Sequence, residues 1–380
     1  MQRIIVSVSN DLYSDQRVDK VCHSLVNMGF NVLLVGRKLP NSPTLQPRTY
    51  TTRRLRLLFK KGFLFYAELN FRLFIFLLFH RCDILVSNDL DTLYPNFLIS
   101  KLKRKRLVYD SHEYFCGVPE LNGRPRVQKF WRRIEKRCFP HLTDVITVCD
   151  SIANLYDQEY PRKEKVNVVR NVPTRQRFPI TKSREELGLP TDGKLIVMQG
   201  AINCDRGAEE LILAMKMVPD AQLLIIGNGD VVPHLKELTK RELLEDRVHF
   251  IPRVTPAKLA NYTALCDLGC SLEKNTNLNY RYCLPNKLFD YIKAGIPCVV
   301  SDLPEMAAVV RGSGVGLVVP EHTPEAIATA INKLLNDKEL YASCKVATER
   351  AAEQYCWERE EEKLKAIYMK YKPSEDINIQ

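Results

Sequence analysis

The chain carries 380 residues, of which 56 are Lys or Arg and 45 Asp or Glu, a formal net charge of +11. This length exceeds what one hydrophobic core organises and predicts two domains of about 150 to 200 residues each. The twelve cysteines are scattered singly with no C-x-x-C pair, which argues against a disulfide framework and for reduced, mostly buried thiols.

Taken in chain order, Arg3 to Ser9 is a short β-branched run that ends in a polar loop, and Val18, Val21, Cys22, Leu25 and Met28 follow at helical spacing until Gly29. Another apolar run, Val32 to Val35, comes next. Strand, helix and strand within about 35 residues make a βαβ unit with parallel strands. The pattern recurs at Asp83 to Val86, Arg106 to Tyr109 and Val145 to Val148, so the first domain reads as doubly wound α/β. It breaks at VVRNVPTRQRFPI, Val168 to Ile180, and a second series runs through Leu195 to Gln199, Gln222 to Ile226, Val248 to Ile251, Leu268 to Leu272 and Pro297 to Ser301. The expected division is an amino-terminal domain over 1–172, a carboxyl-terminal one over 190–355 and a closing helical segment over 356–380. In that segment Trp357, Leu364, Ile367, Tyr368 and Tyr371 share one face, either as a plain cap or as a strap packing back on the first domain, and the last eight or so residues read as a free tail.

The positive charge gathers in the first half. Arg53, Arg54, Arg56, Lys60, Lys61, Arg72 and Arg81 face the single acid Glu68 in a stretch rich in Leu and Phe, and KLKRKR follows at Lys101 to Arg106. Basic and apolar together suit an anionic lipid surface, with residues 53–81 and 101–106 as the contact. The longest uninterrupted apolar run there, Leu73 to Phe79, is far shorter than the ~20 residues of a spanning helix. The chain is therefore expected to lie on a membrane. The start, MQRIIVSVSND, shows no charged leader and cleavage site, so the expected place is cytoplasmic, peripheral on the inner face of the cell membrane. KLKRKR comes with no recognition helix or RNA-binding signature, so nucleic acid is not an expected partner.

In open parallel sheets ligands bind at the carboxyl ends of strands. LPNKLFDYIKAGIP, Leu284 to Pro297, offers a helix start at Pro285 and Asn286, then Lys287, Asp290 and Lys293, then Gly295 as the stop. Free backbone N–H groups at such a start suit a phosphate, the helix dipole adds ~0.3 to 2 kcal/mol, and Lys287 adds a point charge. Asp290, one turn on, is placed to accept hydrogen bonds from ribose hydroxyls. By periodicity alone the stretch fits an ordinary amphipathic helix with solvated lysines equally well.

This stretch, with SDLPEMAAVV after it, resembles the nucleotide-sugar motif of glycosyltransferase family 4, retaining enzymes of the GT-B fold with two Rossmann-like parallel-sheet domains facing a central cleft. The likeness extends over nearly the whole chain. It implies that MQGAINCDRGAEELILAM is the loop whose cations neutralise the donor diphosphate, with Gly200, Arg206 and Gly207 matching and Ala201 standing where a basic residue is frequent. Arg206 then shares the diphosphate with Lys287. In LLIIGNGD, Gly227 and Gly229 match the donor side. In LVYDSHEYF the D-x-H-E pattern implies that His112 faces the donor sugar and Glu113 the acceptor side, and NDLYSDQR places Asp15 and Arg17 beside the acceptor. Without the resemblance, Arg206 reads as a solvated loop arginine, the G-x-G as a tight turn, His112 as structural and Asp15 as a helix cap.

One departure stands out. Many members carry two glutamates eight positions apart, and here those positions are Tyr282 and Asp290, with Asn277, Asn279 and Tyr280 as candidate polar substitutes. The expected reaction moves a sugar from a nucleotide diphosphate sugar to a glycan or polyprenyl-linked acceptor, with retention and without metal or other cofactor, with His112, Arg206 and Lys287 as the catalytic set. Asp89 to Asp91, DLD, is read as a loop and helix cap. The competing readings are a nucleotide-sugar epimerase of the same fold and a catalytically degenerate nucleotide-sugar or membrane-binding module.

Overall fold

The β-branched run at the amino end forms strand β1 (Arg3–Asp11), in which Ile4, Ile5, Val6 and Val8 are fully buried, as a central strand covered on both faces requires. Helix α1 (Gln16–Asn27) starts where Asp15 accepts the Val18 N–H at 3.2 Å, and it buries Val18, Val21, Cys22 and Leu25. The computed structural model describes residues 1–13 and 15–372, so the tail expected at 373–380 lies outside the described residues. The chain divides into two units, one made of Met1–Asn171 with the segment from Glu360, the other of Val172–Arg359.

In the first unit β1 and α1 are followed by β2 (Asn31–Lys38), β3 (Thr51–Arg56), α2 (Gly62–Phe79), β4 (Ile84–Asn88), α3 (Leu93–Lys103), β5 (Arg106–Ser111), α4 (Pro125–Cys138), β6 (Asp144–Thr147), α5 (Asp150–Glu159) and β7 (Asn167–Val168). The strands form one parallel sheet in the order β3-β2-β1-β4-β5-β6-β7. The order reverses between β1 and β4, a switch point that opens a crevice at the strand ends.

Strand β3 has no counterpart in the sequence reading, which took TTRRLR as a charged surface stretch. It pairs with β2 from Leu33↔Thr51 to Lys38↔Arg56, and its charges are those of an edge strand that must not recruit a neighbour. Helix α2 also runs further than the uninterrupted apolar run suggests, because Glu68, Asn70 and Arg72 interrupt the apolar sequence without interrupting the helix. At 18 residues it is long and apolar enough to cross a membrane by length and composition. One face, Phe65, Leu69, Leu73 and Leu77, is buried, while Phe63, Phe71 and Phe79 are exposed.

The second unit contains β8 (Lys194–Ala201), α6 (Ala208–Ala214), β9 (Ala221–Asn228), α7 (Val232–Arg241), β10 (Val248–Ile251), α8 (Pro256–Ala264), β11 (Leu268–Ser271), α9 (Leu278–Arg281), α10 (Asn286–Ala294), β12 (Cys298–Ser301), α11 (Pro304–Ser313), β13 (Gly316–Val319), α12 (Pro324–Asn336) and α13 (Lys338–Gln354). Its parallel sheet has the order β10-β9-β8-β11-β12-β13, with the switch point between β8 and β11. A core of Ile196, Met198, Leu211, Leu223, Ile225 and Leu268 fills it, each such side chain stabilising by about 1.5 to 3 kcal/mol on burial. The last helix, α14 (Trp357–Met369), starts in the second unit, and from Glu360 onward the chain belongs to the first. There Leu364, Ile367, Tyr368 and Tyr371 are buried, Tyr371 donates to the Asp144 carboxylate, and the Arg170 N–H donates to Glu360 at 2.9 Å. All twelve cysteines are free, and Cys204 is the exposed one.

Candidate functional site

In the second unit the switch point collects charge. Glu273 lies two residues past β11, has no exposed surface, and accepts a 2.8 Å hydrogen bond from Ser271 Oγ. Lys287 Nζ, on the first turn of α10, stands 2.8 Å from Glu273 Oε1, and Arg206 Nη1 stands 3.5 Å from the same oxygen. Burial alone would raise the Glu273 pKa; the two cations overcome it and hold the carboxyl below its ordinary value. Beyond these two ion pairs, Lys287 Nζ, Glu273 Oε1 and Arg206 Nε are buried and have no aligned hydrogen-bond partner among the described residues. Two cations against one carboxylate leave the group net positive. The start of α10, capped by no side chain at Pro285, adds the positive end of its dipole.

The loop that carries Arg206 is shaped by close backbone approaches. Gly200 and Gly227 are register partners on β8 and β9, and a Cβ on Gly227, at φ 148°, would sit 1.9 Å from the Gly200 carbonyl oxygen. A Cβ on Gly229 would meet the Ile202 carbonyl oxygen at 1.7 Å, and one on Gly207 the Leu272 carbonyl oxygen at 2.1 Å. These glycines are thus required for the strand-end loops to touch. The Lys274 N–H donates to the Asp205 carbonyl, Tyr280 Oη to the Cys204 carbonyl, and the Arg206 guanidinium lies 5.3 Å from the Tyr280 ring centroid. Asn277 caps α9 by accepting the Tyr280 N–H at 2.8 Å, and Asn279 is buried. Asp290 Oδ2 accepts from Gln199 Nε2 at 3.1 Å, and Gln199 Oε1 in turn accepts from Thr263 Oγ1 at 2.6 Å. Asn286 is exposed at the start of α10, while Tyr282 is half-buried at the end of α9 with Arg281 over its ring.

In the first unit the ends of β4 and β5 meet at His112. Its N–H donates to Asp89 Oδ1 at 2.8 Å, its Nδ1 lies 3.5 Å from Asp89 Oδ2, and its Nε2 lies 3.1 Å from Asn88 Oδ1 and 3.7 Å from Asp110 Oδ2. Burial pulls the imidazole pKa down, but the Asp89 and Asp110 carboxylates prevail and it is pushed up to about 9. It is a cation at neutral pH, with its ring 18% exposed. Asp110 is buried; its desolvation is outweighed by Arg17 and His112, which hold it well below the usual carboxylate range. Arg17 is buried too, with Nη2 on Asp110 Oδ1 at 2.8 Å and Nη1 on the Val169 carbonyl at 2.9 Å. Asp91 is buried with Oδ1 lacking a hydrogen-bond partner among the described residues, and burial, assisted by Asp89 and Glu113, pushes it up to about 7.

Comparison with known proteins follows the same division. The family described as Glycosyltransferase Family 4 matches residues 15–172, and Glycosyl transferases group 1 matches residues 179–351. The chain belongs to glycosyltransferase family 4. A D-inositol 3-phosphate glycosyltransferase of Jonesia denitrificans is 25% identical over 206 residues, 51% of this chain and 47% of that protein. The chain thus spans about half the length of that curated relative. Among solved structures, sucrose-phosphate synthase from Thermosynechococcus elongatus superposes with a TM-score of 0.78 at 18% identity, over 98% of this chain and 99% of that one. Anabaena HepE in complex with UDP-glucose gives 0.77 at 15% identity, over 97% and 100%. These likenesses show the fold, that of GT-B proteins.

Within the family frame, the structure brings Arg206 and Lys287 onto one buried carboxylate and sets Gly200, Gly207, Gly227 and Gly229 around the loop that carries Arg206. It places Asp290 one turn further along the helix and His112 on the other unit. Arg17, expected beside the acceptor, is buried and donates to Asp110 and to the Val169 carbonyl. Asp15 is the cap of α1 and also accepts from Asn10 Nδ2 at 3.3 Å; Ser14 in that loop lies outside the described residues. Glu113 sits between half-buried His112 and buried Tyr114, its carbonyl accepting from Ser111 Oγ at 2.7 Å. Asp89 does not cap a helix with its side chain: at φ 56° it turns its carboxylate to His112. One residue, Glu273, escaped the sequence reading, and another, Asp89, was given a different role. Glu273 was legible as the acid just past a buried strand in CSLEKN. Asp89 was seen but assigned to a cap, because nothing local signals a partner 23 residues away. Among the described residues no group of three or more His, Cys, Asp or Glu side chains is arranged to hold a metal ion.

Proposed function

We propose that this chain is a glycosyltransferase that transfers a sugar from a nucleotide diphosphate sugar to a glycan or polyprenyl-linked acceptor in cell-surface glycan synthesis, with retention and without a metal. One observation carries the reading: Lys287 and Arg206 converge on buried Glu273 beside the open start of α10, with donors unpaired. Breaking a glycosyl phosphate bond builds negative charge on the departing diphosphate, and preorganised cations aimed at that charge are the largest available source of rate. The two side chains and the helix start supply that charge from the protein itself, which supports metal independence. The UDP-glucose complex of HepE, a structure of the same fold, supports a nucleotide-sugar donor, and Asp290, held by Gln199, is the residue assigned to its ribose. His112, a cation held by two carboxylates, is a donor for a sugar hydroxyl or the transferring oxygen. The basic, apolar segments 53–81 and 101–106 support a peripheral place on the inner, cytoplasmic face of a membrane.

The test is a panel of UDP-, GDP- and other nucleotide sugars in thermal-shift and donor-hydrolysis assays, with Lys287→Ala and Arg206→Ala beside the wild type. One donor class should raise the melting temperature of the wild type and much less that of the variants. Equal shifts in all three would remove the site assignment, and interconversion of the donor sugar without transfer would mark an epimerase.

A further inference from the structure

A groove of about 1180 Å³ runs between edge strand β3 and helix α2, on the first unit and apart from His112. One wall is cationic. Lys38, Arg53, Arg54 and Arg56 line it from β2 and β3, Lys38 and Arg56 being register partners at the strand ends. Arg54 is partly committed, 3.6 Å from Asp11 and donating to the Pro43 carbonyl at 2.9 Å. Lys38 and Arg56 make no ion pair among the described residues. The other wall is apolar, with Phe59, Phe71 and Ile75 exposed.

Glu68, the one acid on the groove, is already used. It accepts the Leu58 N–H at 2.8 Å, the Phe59 N–H at 2.9 Å and Arg72 Nε at 2.8 Å, and those backbone bonds hold its pKa below the ordinary value. The carboxylate therefore staples the 58–59 turn to α2. The turn presents Leu58 at 78% exposure and Phe59 at 44%. A fixed apolar tip beside unpaired cations is costly in water and matches a surface with an anionic layer over an apolar one.

We propose that this groove seats the phosphate headgroup of an anionic phospholipid, with Lys38, Arg54 and Arg56 on the phosphate and Leu58, Phe59, Phe71 and Ile75 in the acyl region. This rests on the membrane reading above but names a discrete site where that reading needs only diffuse charge. The Lys101 to Arg106 run then adds screening-sensitive attraction without seating a headgroup.

Sedimentation with phosphatidylcholine vesicles, with and without phosphatidylglycerol, tests it on the full chain. Wild type should bind only the anionic vesicles, and Lys38→Gln/Arg56→Gln should bind roughly 30-fold more weakly, about tenfold or less being expected per surface charge removed. Lys101→Gln/Arg104→Gln should retain the part of binding that survives high salt, whereas Leu58→Ala/Phe59→Ala should lose it. Circular dichroism and an unchanged unfolding transition of the first unit, which carries every substitution, report that each variant is folded. If the wild type ignores anionic vesicles, the membrane reading falls and this site with it. If it binds and the Lys38/Arg56 pair matches it while the Lys101/Arg104 pair does not, the groove is refuted and the membrane reading stands.

Discussion

Replacing Lys287 by Met is the sharpest perturbation of the donor-side cluster. Glu273 is fully buried and the Lys287 side chain is only 6% exposed. Removing one partner of such a pair strands the other charge, at a cost of about 3 to 5 kcal/mol. Arg206, 3.5 Å away and 26% exposed, compensates in part, so the lower end, about 3 kcal/mol, applies. For a unit of this size that is a fall of roughly 6 to 12 °C in melting temperature. Glu273→Gln in the same chain removes the stranded charge, so Lys287→Met/Glu273→Gln should recover much of the loss, with a coupling of about 2 kcal/mol in a double-mutant cycle. Donor affinity should behave differently: absent in Lys287→Met and still absent in the double variant, because the cation is gone in both. Calorimetry reads the first quantity and nucleotide titration the second. Additive stabilities would refute the buried pair, and restored donor binding in the double variant would refute Lys287 as a phosphate ligand.

The imidazole of His112 should titrate near pH 9 by NMR, raised from its ordinary 6.5 by Asp89 and Asp110. Its folded value lies above the unfolded one, so the stability it contributes is complete below about pH 6.5 and is lost as pH rises through about 9; Asp89→Asn should move the titration down. Gly227→Ala places a Cβ 1.9 Å from the Gly200 carbonyl at φ 148°, and should cost more than about 2 kcal/mol in calorimetry while abolishing the nucleotide-induced shift. Tyr282→Glu should change discrimination among donor sugars and leave the affinity for the bare nucleoside diphosphate within about threefold, since the substitution leaves Lys287, Glu273 and Arg206 in place; a tenfold change in diphosphate affinity by calorimetric titration would contradict that.

The central strands were legible because each is a short β-branched run buried on both faces, and their loops gave Gly200, Arg206, His112 and Lys287. Strand β3 was not, since TTRRLR has neither an apolar run nor clean alternation and becomes a strand only by pairing with β2. Helix α2 was seen as chemistry and not as one element, because Glu68 and Arg72 hide its length. The partners of the site residues were the least legible part. Arg17 looked like a ligand contact, yet Asp110, 93 residues away, claims it. Sequence spacing carries the residue types at strand ends; which cation meets which carboxylate depends on strand order, and strand order is not written locally.

Glu273 also explains how the donor side can be positive and still fold. Two cations brought together in a buried loop repel, and without an anion they would swing to solvent. The carboxylate holds Arg206 and Lys287 in place before any ligand arrives, at the expense of one unit of positive charge, and the start of α10 returns part of it through its dipole. The ammonium carries three donors and the Glu273 contact takes one, so donors remain for an incoming oxygen. In the proposed reaction a diphosphate would complete a charge arrangement that is already set. The departure at Tyr282 leaves this arrangement intact. In the proposed reaction it would bear on which sugar is held.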